Sequence, residues 1–245
     1  MAKCAKGAAA RGETKGASLA DRTDWPPSSL MAALADDERA ALLGTGKRVH
    51  FHDREFIVLQ GGAGDSLYVL TAGVVRVTMV AENGAEAVLA IRSRGDLIGE
   101  VALFDDKPRA ATASAIGEVA AARISRASFK AFAGGHPLAW AMIMKSVVAK
   151  MRESDERRAQ RGLPAQDRLA LAVFQLASAS ADRNSDGAVV IPLLTQGDIA
   201  DLAGVGVASA ERFFADLRRQ GVLATSYKQV VVLDMSLLEK IVTHK

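Results

Sequence analysis

A glycine, a carboxylate and an arginine in one short stretch of this chain form a pattern that suits phosphate and ribose. The run Gly99-Glu100-Val101-Ala102-Leu103 predicts one helical turn, and Arg109 follows Glu100 by nine residues. Free backbone N–H groups at the start of such a turn attract anions, and a guanidinium binds one phosphate with two donors. A carboxylate accepts from a ribose hydroxyl. The pattern predicts a ribose-phosphate site, although an ordinary surface ion pair would explain Glu100 and Arg109 taken alone.

A second cluster of residues has the spacing of a helix-turn-helix. Thr195 is placed to cap the first helix, Gly204 to form the turn and Gly221 to end the second helix, with apolar residues at the interior positions. Two short apolar runs follow, Val222–Thr225 and Val230–Leu233. A hairpin after a helix-turn-helix predicts a winged helix, a module that binds DNA.

The whole chain has the composition of an ordinary globular protein. Its 245 residues suggest two domains, and 49% of them are hydrophobic and 24% charged. No apolar run approaches the roughly 18 residues of a membrane span, and no signal peptide opens the sequence, which predicts a cytoplasmic protein without membrane contact. Cys4 is the only cysteine, which excludes an internal disulfide, a cysteine-ligated cluster and a multi-cysteine zinc site.

Net charge does not by itself indicate a nucleic-acid partner. The formal charge is +3, and residues 160–245 hold nine basic and nine acidic side chains. A strongly basic domain would be the usual electrostatic sign of a DNA-binding protein, and neither domain is one. DNA binding therefore has to be argued from the helix-turn-helix pattern.

The sequence divides into four segments. Residues 1–25 predict a flexible tail, residues 26–136 a β-domain that begins with one or two short helices, residues 137–161 a long helix and residues 162–245 the winged helix. The pattern of the β-domain predicts strands over Glu55–Leu59, Ser66–Thr71, Val74–Val80, Ala87–Ile91 and Val119–Ile124. Asn83-Gly84 predicts a hairpin, and Gly162-Leu163-Pro164 predicts the boundary before the last domain. The expected class is α+β, with a jelly-roll-like antiparallel β-barrel.

With this context the β-domain resembles the cyclic-nucleotide-binding domain family. The glycine-rich stretches Gln60–Leu70 and Gly73–Val77, then Gly99–Leu103 and Pro108–Thr112, follow the family's order and spacing. By that resemblance Gly99, the amides of Val101 and Ala102, and Arg109 hold the cyclic phosphate, and Glu100 binds the ribose 2′-OH. The base is expected near Ala110, Ser154 and Asp155. Ala110 favours adenine and Asp155 favours guanine, so cyclic AMP is preferred over cyclic GMP as regulatory ligand, with no other cofactor.

Taken together, the segments resemble the cyclic-AMP receptor and fumarate–nitrate regulator family of bacterial transcription factors over nearly all of residues 30–240. The resemblance implies a homodimer paired through the 137–161 helix, double-stranded DNA and RNA polymerase as partners, and a ligand that shifts the chain toward its DNA-competent state. The implied DNA-binding residues are Thr195, Gln196, Val207, Ala208, Ser209, Arg212, Arg218 and Lys228. The family commonly has arginine and glutamate where this chain has Val207 and Ala208, so either its DNA specificity differs or its DNA binding is weak.

Three other functions compete with this one. An enzyme is disfavoured because the sequence leaves no room for a catalytic domain and contains no nucleophile–base pattern, so no catalytic residues are predicted. A gas sensor would need a haem held by His50, His52 or His136, but alternating histidines on a solvated strand face are the simpler interpretation, and no metal site is predicted. A regulator that kept the fold without responding to a nucleotide stays open.

Overall fold

The computed structural model describes residues 25–180 and 182–243, so the tail predicted over residues 1–25 lies almost wholly outside it. Helices and antiparallel strands are mixed along the chain, which confirms the predicted α+β class. The helices are α1 Leu30–Ala33, α2 Asp36–Gly44, α3 Val101–Phe104, α4 Arg126–Gly135, α5 Pro137–Gln160, α6 Ala165–Ala179, α7 Gln196–Ala203, α8 Val207–Arg219 and α9 Met235–Thr243. The strands are β1 Lys47–Phe51, β2 Phe56–Val58, β3 Ser66–Val80, β4 Glu86–Ser93, β5 Leu97–Ile98, β6 Thr112–Ser125, β7 Val189–Pro192, β8 Leu223–Ser226 and β9 Gln229–Val232.

The N-terminal domain, residues 26–136, is built on a six-stranded antiparallel sheet. The strand order is β1-β6-β3-β4, with β2 beside β6 and β5 beside β3. Successive side chains of a strand point to opposite faces, and β3 uses both faces. Leu67 and Val69 pack with α1, α4 and α5, whereas Tyr68 and Leu70 pack into a second cluster with Phe51. The sheet is therefore buried on two sides and forms the predicted jelly-roll-like β-domain.

Strand β3 differs from the prediction, because Ser66–Thr71 and Val74–Val80 are parts of one strand. Gly73 lies between them with φ of 88°, and a Cβ atom there would lie 2.4 Å from the carbonyl oxygen of Glu118. The register against β6 shifts on both sides of Ala72, so the strand bends and keeps its partner. Gly73, which the sequence pattern places at the end of a strand, therefore forms a bend within one.

Helix α5 is the predicted long helix, and Pro137 starts it. Ala139 and Ile143 are buried against the N-terminal domain. Leu138 and Met151 point away from that domain and are 72% and 63% exposed in the single chain. Among the described residues, no helix combines the length and the apolar composition that crossing a membrane requires.

The C-terminal domain, residues 162–243, contains the predicted winged helix. Helices α7 and α8 form the helix-turn-helix, and β8 and β9 form the wing. Strand β7 pairs with β9 on the other side, and α9 packs on α6. Neither β7 nor α9 was predicted, because each is a short apolar run whose burial depends on its neighbours.

The two domains pack directly against each other. Val74 and Ile91 of the N-terminal sheet belong to the same hydrophobic cluster as Leu169 and Phe214 of the C-terminal domain. Helix α7 packs on β4, and the side chain of Leu193 lies over Gly117. The break between α5 and α6 therefore separates two segments of the chain that share one core.

Candidate functional site

Arg109 lies directly beside Gly99, as the sequence predicted for a common site. Its Nη1 donates to the carbonyl oxygen of Gly99 at 2.5 Å, and its Nη2 donates to that of Ser66 at 2.5 Å. The residue is buried, and burial lowers the pKa of the guanidinium. Gly99 has φ of 81°, and a Cβ atom there would lie 2.5 Å from Nη1 of Arg109. Only glycine fits this position.

The glycine-rich loop before β3 is fixed to the same site by main-chain bonds. The N–H of Gly61 donates to the carbonyl oxygen of Arg109 at 2.8 Å, and the N–H of Arg109 donates to that of Gly62 at 2.9 Å. Arg126 donates to the carbonyl oxygens of Gly64 at 2.6 Å and Ala102 at 2.9 Å. Arg126, which sequence reasoning missed, therefore joins this loop to α3.

The helical turn predicted after Gly99 is α3, and Val101 and Ala102 are its first two residues. The first N–H groups of a helix have no partner within it. Val101 is exposed and Ala102 is buried. In the sequence, this turn therefore lies between Glu100 and Arg109, the two charged residues of the predicted site.

Glu100 is buried and paired with a lysine of the long helix. Nζ of Lys150 donates to Oε1 of Glu100 at 2.8 Å and to the carbonyl oxygen of Leu97 at 2.8 Å. The side chain of Glu100 is 6% exposed and that of Lys150 is 18% exposed. A cation on α5 therefore neutralises the carboxylate predicted to bind ribose.

Next to this pair, further charged residues connect β4 to α5. Nη2 of Arg92 lies 2.8 Å from Oε2 of Glu153, and Arg157 also pairs with Glu153. Burial alone would raise the pKa of Glu153, but Arg92 and Arg157 hold it below its usual range. Burial raises the pKa of Asp96 even though Lys150 and Arg92 oppose this. The long helix is thus fixed to the candidate site by charge as well as by apolar packing.

The three residues predicted near the base lie at the periphery of this arrangement. Ala110 follows Arg109 and is exposed. Ser154 and Asp155 are exposed on α5, and Asp155 pairs with Arg158 at 3.4 Å. Among the described residues, no hydrogen bond or ion pair joins Ser154 or Asp155 to Gly99, Glu100 or Arg109. Their role in binding a base stays a prediction.

The helix-turn-helix has the predicted cap and turn. The hydroxyl of Thr195 accepts from the N–H of Asp198, and the Asp198 carboxylate accepts from the N–H of Thr195 at 2.7 Å. Gly204 adopts φ of 61° between the helices. Helix α8 buries Phe213 and Phe214 against the C-terminal core. One side of α8 is therefore fixed and the opposite side faces outward.

The outward side of α8 begins with small and mostly apolar side chains. Val207 is 56% exposed, Ala208 and Arg212 are exposed, and Ser209 is half-buried. Nε of Arg212 donates to the carbonyl oxygen of Ala208 at 3.2 Å. Methyl groups dominate the start of this helix, as the sequence predicted.

The remaining predicted DNA-binding residues lie around the wing. Arg218 and Gln196 both donate to the hydroxyl of Thr225, at 2.9 and 3.4 Å. Lys228 is held instead by the N-terminal domain, with Nζ 3.8 Å from Oδ2 of Asp53. Arg218, near the end of α8, is thus exposed beside the wing, whereas Lys228 of the wing pairs across the domain interface.

A second ion pair across this interface involves the start of α7. Arg76 of β3 pairs with Asp198, and its Nη1 lies 3.2 Å from Oδ2 of Asp201. The side chains of Arg76 and Asp198 are 28% and 12% exposed. The end of α7 that carries Thr195 and Gln196 is therefore tied to the N-terminal sheet.

Two of the three histidines considered as haem ligands, His52 and His136, have protein partners. Nδ1 of His52 lies 3.1 Å from Oε1 of Glu118, and this hydrogen bond raises the pKa of His52. The ring of His136 stacks on Phe132 at 4.5 Å. Within residues 25–180 and 182–243, no three His, Cys, Asp or Glu side chains are grouped as metal ligands.

Sequence reasoning missed the charged residues that join the elements of the site. Arg76, Arg92, Asp96, Lys150 and Glu153 belong to no periodic pattern. The partners that join them to other elements lie far away in the sequence, and a single sequence gives no signal for such pairs. The alternation of acidic and basic residues on α5 was visible but is equally typical of a solvated helix.

Comparison with known proteins matches both halves of the chain. Residues 48–136 match the cyclic nucleotide-binding domain, and residues 167–241 match the Crp-like helix-turn-helix domain. The chain is 26% identical over 204 residues to the CRP-like cAMP-activated global transcriptional regulator of Mycobacterium tuberculosis, covering 82% of this chain and 90% of that protein.

One further relative matches the nucleotide-binding domain alone, and one solved structure matches most of the chain. The cAMP-dependent protein kinase regulatory subunit of Emericella nidulans is 37% identical over 105 residues, which are 43% of this chain and 25% of that subunit. A crystal structure of a CRP-family transcriptional regulator from Thermus thermophilus superposes with a TM-score of 0.63 at 28% identity. The match covers 79% of this chain and 96% of that one.

Proposed function

Because this chain belongs to the CRP/FNR family, whose members are transcription regulators and not enzymes, we propose that a cyclic nucleotide controls its binding to double-stranded DNA. The family and the two matched domains make it a regulator with a nucleotide-binding and a DNA-binding part. The proposal adds that one part responds to the other. It also names cyclic AMP as the ligand and the exposed side of α8 as the reading surface.

The observation that carries the proposal is the burial of two opposite charges around Gly99. Glu100 and Arg109 are each 5% exposed. Burying a charge is costly unless it is paired, and pairing rarely repays the whole cost. Buried charges in a matched ligand-binding domain are better explained by binding than by stability. Arg109 with Gly99, Val101 and Ala102 suits a cyclic phosphate, and Glu100 suits a ribose hydroxyl.

Cyclic AMP is the preferred nucleotide in this proposal. Ala110 offers no hydroxyl to a guanine amino group, which supports adenine. The bacterial relative is described as cAMP-activated and the kinase subunit as cAMP-dependent. Asp155 argues for guanine, because a carboxylate accepts from the guanine N–H groups, but it lies on the exposed part of α5 beside Arg158.

A second candidate function has its own observation. Arg109 is already bonded to two carbonyl oxygens, and Glu100 is already bonded to Lys150. A site whose charged side chains are already bonded within the protein suits a regulator that is independent of a nucleotide or that senses another ligand. The two candidates differ in whether a cyclic nucleotide displaces these bonds.

The proposed DNA surface reads bases mainly through apolar contact. Val207 and Ala208 can touch thymine methyl groups but neither donate nor accept hydrogen bonds to base edges, and Arg212 is the candidate for a guanine. The contacts proposed for the DNA backbone or for positioning are Thr195, Gln196, Ser209, Arg218 and Lys228. The operator is therefore expected to be rich in thymine where Val207 and Ala208 lie.

The proposed active form is a homodimer through α5. Leu138, Ala141, Val148 and Met151 form an exposed stripe along one side of that helix. Apolar residues at such spacing bury their surface by pairing with a second helix. Two helix-turn-helix units then bind two half-sites about one DNA turn apart. RNA polymerase as a further partner stays a prediction.

Calorimetric titration with cyclic AMP and with cyclic GMP tests the nucleotide part of the proposal. The wild-type chain is expected to bind cyclic AMP more tightly. Arg109→Lys and Glu100→Gln are each expected to weaken binding by about tenfold or more, since each removes a charged hydrogen bond worth about 1.5–3 kcal/mol. Arg48→Ala removes an exposed arginine of the same domain and is the matched control.

Selection of DNA from a random pool, with and without cyclic AMP, tests the DNA part. Affinity for the selected site is expected to rise with cyclic AMP and to fall steeply with salt. Replacing single thymines by uracil removes only the methyl group, and losses are expected at the positions facing Val207 and Ala208. Equal affinity with and without nucleotide would support the ligand-independent candidate instead.

A further inference from the structure

A cavity of about 750 Å³ lies where the N-terminal sheet, α5 and the C-terminal domain meet. The N-terminal domain contributes Ile91 and Asp96 to its wall, α5 contributes Ser146 and Glu153, and the C-terminal domain contributes Phe174. Pockets for small molecules usually measure about 300–1,000 Å³. The cavity therefore has the size of a ligand site, and both domains contribute to it.

The cavity is separate from the candidate nucleotide site. Gly99, Glu100 and Arg109 are absent from its lining. Its apolar wall is formed by side chains of both domains: Val74, Ile91, Phe174, Ile191, Leu193 and Leu194. Mostly apolar walls with a few converging polar groups are typical of a small-molecule site. A ligand here would need an apolar body of moderate size.

Pairing of two chains through α5 leaves this cavity open, a step that uses the dimer of the proposed function. Successive residues of an α-helix are rotated by about 100°. Ser146 and Glu153 on the cavity side are therefore roughly 140° around the helix axis from Ala141 and Val148 on the dimer side. Lys145, which also lines the cavity, lies at the edge between the two faces, about 40° from Ala141, so its flexible side chain has to reach the cavity from the border of the dimer stripe.

The charged side chains around the cavity favour an anion. Basic residues outnumber acidic ones in its lining, which contains Arg92, Arg94, Lys145, Lys150, Arg157, Asp96, Glu153 and Asp182. Burial disfavours the charged form of Asp96, which adds to the excess of positive over negative charge around the cavity. Glu153 is occupied by Arg92 and Arg157. Lys145 is exposed and has no ion-pair partner within residues 25–180 and 182–243.

We propose that this cavity binds a small apolar anion, such as an aromatic or medium-chain carboxylate, at a site distinct from that of the cyclic nucleotide. The apolar body packs between Phe174 and Ile91, and the anionic group lies toward Lys145 and Lys150. Because the walls come from both domains, the bound anion stabilises the arrangement in which they are packed together.

The cavity is connected to the nucleotide site through one residue. Lys150 lines the cavity, and its Nζ lies 2.8 Å from Oε1 of Glu100. An anion in the cavity competes with Glu100 for this cation. Nucleotide affinity therefore changes when the cavity is filled, and by linkage the nucleotide changes the affinity of the anion by the same factor.

The probe for the test is 1-anilinonaphthalene-8-sulfonate, an apolar anion that fluoresces in apolar surroundings. N-phenyl-1-naphthylamine has the same rings without the sulfonate and serves as the uncharged control. The wild-type chain is expected to bind the sulfonate at one site per chain and more tightly than the uncharged amine. Lys145→Ala is expected to weaken the sulfonate by about two- to fivefold, the effect of one exposed charge, and to leave the amine unchanged.

Two variants fill the cavity from different walls. Ser146→Phe on α5 and Ser178→Phe on α6 are each expected to weaken the sulfonate by about tenfold or more, because the new ring takes the ligand's volume. Gln166→Phe is the matched control, since Gln166 is exposed on α6 and does not line the cavity. Thermal melting confirms that each variant is folded before it is titrated.

The proposal is overturned if the sulfonate binds the wild type at several weak sites, if the amine binds equally tightly, or if the folded filled variants bind like Gln166→Phe. These readouts need neither nucleotide nor DNA, so a failure of the proposed function leaves them intact. If the sulfonate binds as expected but leaves cyclic AMP affinity unchanged, the link through Lys150 is wrong and the site itself stands.

Discussion

Nζ of Lys150 lies 2.8 Å from Oε1 of Glu100, so the carboxylate predicted to bind ribose is neutralised by the long helix. The first residue of the pair lies on α5 and the second directly before α3. A ligand hydroxyl that donates to Glu100 has to share this carboxylate with Lys150. The contact therefore joins the candidate binding site to the helix proposed to pair two chains.

Replacing Lys150 alone should destabilise the fold more than replacing both Lys150 and Glu100. Lys150→Met leaves Glu100 buried without a cation, and we expect a loss of about 3 kcal/mol and a melting temperature lower by about 6–12 °C. The double variant Glu100→Gln/Lys150→Met should recover most of this loss. Thermal melting of both single variants and the double variant measures the coupling.

The exposed pair of Arg158 and Asp155 supplies the control for this experiment. Both side chains are 73% exposed, and Arg158→Met should cost less than about 1 kcal/mol. Equal losses for Lys150→Met and Arg158→Met would mean that the Glu100 pair contributes no more than a surface contact.

Asp96→Asn should stabilise the protein at neutral pH. Burial raises the pKa of Asp96, so at pH values between the unfolded and the folded pKa the folded chain holds a proton that the unfolded chain releases. This contribution is fully present below the unfolded pKa of about 4 and is lost as pH rises through the folded pKa. Asparagine keeps an acceptor for the N–H of Ser93 and carries no charge.

The gain from Asp96→Asn should therefore shrink as pH falls from 7 toward 4. Melting temperatures of wild type and variant across this range give the test, with the exposed Asp37→Asn as control. The charged groups around Asp96 are Lys150, Arg92 and Glu153. A constant difference at every pH would show that titration of Asp96 is not the cause.

Arg76→Ala should loosen the contact between the two domains. Its pairs with Asp198 and Asp201 are partly buried, and we expect a loss of about 1–2 kcal/mol in the packed arrangement. If packing of α7 on the sheet opposes DNA binding, affinity for DNA without nucleotide rises by about 5- to 30-fold.

Linkage makes this prediction more specific. Arg76→Ala shifts the equilibrium between the packed arrangement and the DNA-binding arrangement toward the latter. If nucleotide binding favours the DNA-binding arrangement, the same substitution must also raise the affinity for the nucleotide. Fluorescence anisotropy with labelled DNA and calorimetry with cyclic AMP measure the two effects, and Arg48→Ala is the control. A rise in one affinity with a fall in the other would contradict a single shared equilibrium.

Leu138→Asp should convert the proposed dimer to monomers. Leu138 is 72% exposed in the single chain, so the substitution leaves the fold of one chain intact, whereas a charge buried between paired helices is strongly unfavourable. Analytical ultracentrifugation gives the mass, and thermal melting in the presence of cyclic AMP shows whether the chain still binds it. A dimer that persists in both Leu138→Asp and Val148→Asp would place the interface elsewhere.

Much of the architecture was predictable because local chemistry determines it. Thr195 caps α7, Gly204 forms its turn and Asn83-Gly84 forms the β3–β4 hairpin, and each of these needs only its neighbours in sequence. The merging of Ser66–Thr71 with Val74–Val80 was not predictable, because whether Gly73 ends or bends a strand depends on its distance from Glu118 across the sheet.

The sequence by itself determined the class of the protein and the order of its two matched domains, and it predicted Gly99, Glu100 and Arg109 as one site, since their types and spacing carry the chemistry. Only the tertiary structure decided that Lys150 neutralises Glu100, that Arg76 ties α7 to the sheet and that a cavity lies between the domains. Charge pairing and shared apolar packing join residues far apart in sequence, and their energy depends on distance and burial. Neither quantity exists until the chain has folded.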